Sequence, residues 1–132
     1  MTAPPAAFQV FITWLARAAF AVGVVVVIAL SLMPASAAPD TGINDKIGHF
    51  LAYFALALTG VTGFHGRRAK VMIVFSLIAF GILMEGAQLF AADRQPSIFD
   101  AIANALGVMC GTAAASAGLR VLDALRPLVK AS

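Results

Sequence analysis

Residues 18–33 read AAFAVGVVVVIALSLM, sixteen apolar or small residues in a row without a charge. An α-helix rises about 1.5 Å per residue, and a bilayer core about 30 Å thick takes about 20 helical residues. The apolar character extends backward past Arg17 to Phe8, so the run is long enough to cross. Its valine-rich centre, Val24 to Ile28, suits a lipid-facing helix whose backbone hydrogen bonds close internally. Pro34 ends the run, and Pro39, Asp40, Gly42 and Asn44 mark a polar loop.

Three further apolar runs follow. Together the four runs predict helices over 10–33, 47–64, 71–91 and 98–119. The expected fold is an all-α membrane protein, a bundle of four transmembrane helices forming one domain over 1–132. Ala35-Ser36-Ala37 ahead of Ala38 and Pro39 also fits the small-residue cleavage site of a signal peptide. On that reading three helices remain, and the rest of the topology is unchanged.

The whole composition agrees. The 132 residues are 61% hydrophobic and 11% charged, with a mean hydropathy of +0.95. A soluble domain carries about 25% charged residues. A soluble globular fold, a disordered chain and a nucleic-acid-binding module are thereby excluded. Cys110 is the only cysteine, so there is no intrachain disulfide and no cysteine-based metal site. His49 and His65 are the only histidines, and no metal or cofactor is expected. Cys110 reads as a small packing residue and His65 as a solvated one.

Lys and Arg placement sets orientation in membrane proteins. Arg67, Arg68 and Lys70 lie in the middle loop, Arg120, Arg126 and Lys130 in the tail, and Arg17 in the N-terminal segment. The other two loops hold only Lys46 and Arg94. Both termini and the middle loop are therefore expected in the cytoplasm, with the first and third loops outside.

Polar residues interrupt the helices on one side only. Asp45, Lys46, His49 and Tyr53 open the second helix. Glu85 and Gln88 lie near the end of the third, followed by Arg94. Asp100 and Asn104 open the fourth. All fall on the outward side of the expected topology. Asp45, His49 and Tyr53 are four apart and share a helix face, as do Asp100 and Asn104. Gly107 and Gly111 continue the latter stripe and let another helix approach closely. Ionisable residues in membrane helices usually face a bundle interior or a wet cavity. Glu85 is the most deeply placed, with His49, Lys46 or Arg94 as its natural partners.

Each residue also has a plainer reading. Asp45 and Asp100 suit the N-terminal turn of a helix. Tyr53 suits an interfacial anchor, and Gln88 and Asn104 suit helix–helix hydrogen bonds worth about 0.6 kcal/mol each. His49 and Glu85 fit such roles less well.

The order Asp45-Lys46-x-x-His49-Phe50-x-x-Tyr53-Phe54, Glu85-x-x-Gln88-x-Phe90, Arg94, Ser97, Asp100-x-x-Ala103-Asn104-x-x-Gly107 and Gly111 closely resembles the VanZ-like family of small bacterial membrane proteins. The resemblance spans Asp45 to Gly111, and the first helix and tail contribute no motif. It implies a multi-pass protein of the bacterial cytoplasmic membrane that serves the cell envelope. The family takes its name from a member conferring low-level resistance to the glycopeptide teicoplanin, so an antibiotic-resistance link is implied for the family rather than for this chain.

Three functions compete. In the first, the outward cluster binds or acts on a lipid-linked cell-wall or polysaccharide precursor. Lys46 and Arg94 would meet phosphate or carboxylate oxygens, and Gln88 and Asn104 sugar or amide groups. In the second, His49 with Glu85 or Asp100 forms an acid–base pair or holds a divalent metal in a membrane-embedded enzyme. In the third, the chain is a structural partner in an envelope complex. The expected surroundings are the lipid bilayer and no nucleic acid, with association into oligomers left open. A transport path is disfavoured, because the polar residues stop in the outer half.

Overall fold

The computed structural model describes residues 6–37, 42 and 44–130. Four helices follow in chain order: α1 (Ala6–Leu32), α2 (Asp45–Gly63), α3 (Arg67–Ala87) and α4 (Ile98–Lys130). Short 3₁₀ turns follow α1 at Ala35–Ala37 and α3 at Gln88–Phe90. No strand occurs among the described residues. The chain is an all-α bundle, as the four apolar runs require. Pro39 and Asp40 of the expected first loop, and Ala38 of the expected cleavage site, lie outside the described residues.

Local chemistry explains the helix ends. Asn44 caps α2, its side-chain oxygen accepting the Lys46 N–H at 3.0 Å, and Asp45 in the first turn complements the helix dipole. The α2–α3 turn passes through Gly66 at φ 101°, a conformation that L side chains rarely adopt. Asp93 turns the chain after α3 at φ 59°, which a short polar side chain tolerates. The Ser97 carbonyl then accepts the N–H groups of Asp100 and Ala101, at 3.0 and 3.1 Å, and starts α4.

Helix α1 begins at Ala6 rather than 10, and α3 gives way to a 3₁₀ turn after Ala87 rather than running to 91; two further boundaries also differ from those read in the sequence. Helix α3 begins at Arg67 rather than 71, because the turn at Gly66 leaves the basic residues free to form the first helical turn. Helix α4 runs to Lys130 rather than 119, since a charge such as Arg120 ends an apolar run without ending a helix.

The bundle is apolar outside and polar within. Val25, Phe75, Ile82 and Met109 are each more than 60% exposed, whereas Glu85, Gln88, Asp100 and Asn104 are buried. Soluble proteins do the opposite with charged residues. Three segments are long and apolar enough to cross a membrane: Ala7–Leu32, Arg67–Phe90 and Ile98–Ala124. Helix α2 carries most of the polar motif and packs among them, most extensively on α4. Its contact with α4 is backbone-close. A Cβ at Gly107 would overlap the Phe50 carbonyl oxygen, and one at Gly111 the Phe54 carbonyl oxygen. A small core of Val27, Tyr53, Leu56, Ala57, Leu77 and Val108 joins the four helices. Cys110, read in the sequence as a small packing residue, is exposed on α4.

Antiparallel turns bring the C-terminal end of α1, the N-terminal ends of α2 and α4 and the C-terminal end of α3 together. This is the polar end. At the other, basic end Arg17 donates from Nε to the Gly63 carbonyl at 2.8 Å. Its guanidinium also lies 5.3 Å from the Trp14 ring centre and 5.0 Å from that of Phe64.

Candidate functional site

The three polar stripes converge at the polar end. Lys46 Nζ lies 2.9 Å from Asp100 Oδ1, tying α2 to α4. The carboxylate is buried and the ammonium half exposed. Lys46 stands ahead of the apolar part of α2, and the hydrogen bond it donates to Asp100 raises its pKa.

His49 occupies the centre. Its Nδ1 lies 3.1 Å from Asn104 Oδ1 and donates to it when that nitrogen carries the ring proton. The same nitrogen is 3.7 Å from Glu85 Oε1, and Nε2 is 3.9 Å from Asp45 Oδ1. His49 therefore stands between a buried carboxylate and an exposed one.

Glu85 also has a structural duty. Its Oε2 accepts the Ser97 N–H at 3.1 Å, which anchors the turn leading into α4. Of the partners expected for Glu85, only His49 approaches it. Lys46 is taken by Asp100, and Arg94 reaches toward α1. There Arg94 donates from Nε to the Met33 carbonyl at 3.3 Å and from Nη2 to the Leu30 carbonyl at 3.4 Å.

A cavity of about 230 Å³ opens among these groups. His49, Tyr53, Gln88, Arg94 and Asn104 line it with polar atoms, and Val27 and Met84 form apolar wall. Lys46, Glu85 and Asp100 lie behind or beside the lining. Three buried atoms at this end lack a hydrogen-bond partner: the Tyr53 hydroxyl, Asn104 Nδ2 and Glu85 Oε1. Buried polar groups are normally paired, so each such group calls for an explanation.

Two contributors escaped the sequence reading. Ser31 of α1 is buried and lines the cavity, so the first helix does take part. Its signal was present, as the only hydroxyl in residues 18–33, four residues from buried Val27. Gly81 of α3 is the second. A Cβ there would stand 3.3 Å from both Asn104 Cβ and Tyr53 Cε1, so glycine makes room for both cavity side chains.

The structure also brings together a possible metal-ligand set that joins Asp45 to the His49 and Asp100 named in the enzyme reading. Asp45, His49 and Asp100 each place one donor atom within 4.8 Å of the others. Asp100 Oδ1 already accepts from the Lys46 ammonium at 2.9 Å. Compared with family models, curated proteins and solved structures, the chain matches none.

Proposed function

We propose that this chain is a VanZ-like protein of the bacterial cytoplasmic membrane whose polar end binds the head group of a lipid-linked envelope precursor. The observation that carries the reading is the cavity of about 230 Å³ at the polar end, lined in part by buried side chains with unpaired polar atoms, in a bundle whose outer faces are apolar. An amphiphile fits such a place, its tail against exposed helix faces and its head among polar groups. The positive residues support the orientation. Arg67, Arg68 and Lys70 begin α3 at the opposite end, which supports an outward polar end with both termini in the cytoplasm.

Native mass spectrometry of the full chain extracted from bacterial membranes tests this reading. The expected result is one lipid of defined mass carried by the wild type and weakened in Glu85→Gln. A spectrum without a specific adduct contradicts it. Orientation is tested in a Cys110→Ser background with single cysteines at residues 42 and 95. Both should label from outside, and labelling of either only from the cytoplasm reverses the topology.

An acid–base enzyme is the second reading, favoured by His49 standing 3.7 Å from Glu85 and 3.9 Å from Asp45. It requires that the bound lipid be altered. Recovery of unchanged lipid from wild type and His49→Ala alike would remove it.

A further inference from the structure

The charges around the cavity do not divide as the residue types alone suggest. Lys46 is paired with Asp100 at 2.9 Å and does not line the cavity. Arg94 lines it and donates to two uncharged main-chain carbonyls, while the carboxylate of Asp45, also in the lining, is exposed at the rim. Among the described residues no carboxylate lies within 4.0 Å of its guanidinium, which keeps unused donors. Deeper in the lining, the groups without partners are uncharged. They are the Tyr53 hydroxyl and the Asn104 amide nitrogen. Both residues are 2% exposed, so water outside cannot pair these atoms. Desolvating an anion beside them would bring no compensating positive charge, whereas a hydroxyl or amide needs only hydrogen bonds. The cavity is also small, below the range of about 300–1,000 Å³ usual for ligand pockets.

Building on the lipid-head reading, we infer that the cavity receives an uncharged hydroxyl- or amide-bearing group about the size of one sugar ring, while the phosphate of the same ligand is held at Arg94 and not at Lys46. The ligand class is thus a glycosyl phospholipid rather than a bare lipid phosphate. Tyr53 and Asn104 read the sugar, and Arg94 reads the phosphate through its planar fork.

Three probes test this with the full chain in nanodiscs: a short prenyl phosphate, the same phosphate bearing one hexose, and a prenyl glycoside without phosphate. The sugar-bearing phosphate should bind at least about tenfold tighter than the bare phosphate. Tyr53→Phe should shrink that gap to within about threefold while bare-phosphate binding persists, which also shows that the variant is folded. Arg94→Gln should weaken both phosphates by about tenfold or more and leave the neutral glycoside unchanged. Equal binding of the bare and sugar-bearing phosphates overturns the inference and leaves the lipid-head reading standing. So does a larger loss of phosphate binding in Lys46→Met than in Arg94→Gln. Binding of none of the three, with no lipid co-purifying, overturns both.

Discussion

The two ends of the bundle bury polar groups in opposite ways. At the basic end Arg17 reaches one carbonyl at 2.8 Å and lies between two aromatic rings. At the polar end ion pairs and hydrogen bonds are more numerous, yet the Tyr53 hydroxyl, Asn104 Nδ2 and Glu85 Oε1 are left unpaired beside a cavity. Structural burial closes its polar contacts. Among the described residues four buried side-chain atoms lack a partner, and three of them gather beside the cavity while the fourth, Thr112 Oγ1, lies alone further along α4, so it is the clustering that sets the polar end apart. Substitutions at the two ends should therefore separate stability from binding.

The largest expected effect lies in the contact that supports both ends. Gly107→Leu or Gly111→Leu drives a side chain into the α2 backbone and should destabilise the bundle by about 3 kcal/mol. Thermal melts in detergent would show it, and an unchanged melt would mean that α2 and α4 are not packed this closely. Next comes Arg17→Ala, which removes a hydrogen bond and two ring contacts. It should cost about 1–2 kcal/mol in the same melts while leaving lipid co-purification intact. Loss of the lipid would merge the two ends and spoil the contrast.

Tyr53→Phe sharpens it from the other side. Removing a hydroxyl without a partner is near neutral for stability, within about 0.5 kcal/mol, yet lipid retention should fall. A large drop in melting temperature would instead show that the hydroxyl is paired within the protein.

The smallest effect concerns Lys46. Its pKa is raised in the folded chain by Asp100, so the pair's contribution is fully present below the ordinary lysine value of 10.5. It is lost as pH rises through the elevated folded value. Melting temperature should be insensitive to this pair near neutrality and fall at alkaline pH, and the alkaline fall should lessen in Lys46→Met. A wild-type curve that matches the variant throughout would remove the pair from the account.

Much of this was legible in the sequence. Apolar run length located four helices, and spacing of four placed Asp45, His49 and Tyr53 on one face. Periodicity reports the face of a single helix and says nothing of how helices rotate against each other. The pairing of Lys46 with Asp100, 54 positions away, was therefore out of reach, and phosphate contact looked natural for Lys46. Ser31 was hidden for a related reason, since one hydroxyl in a valine-rich run reads as incidental until three other helices meet it. Helix ends at charged residues were misplaced because hydropathy measures what enters lipid rather than what stays helical.

Tyr53 is the only tyrosine in the chain, so tyrosine labelled with ¹³C at Cζ yields a single NMR signal from the heart of the cavity. The decisive comparison is between protein in native membrane extract and the same protein stripped of lipid, with Arg17→Ala as a folded control. The account predicts that the Tyr53 signal moves on stripping, in wild type and control alike, as its hydroxyl loses the ligand's hydrogen bond. A signal that stays in place after the lipid has been removed would contradict the claim that the polar end is a binding site.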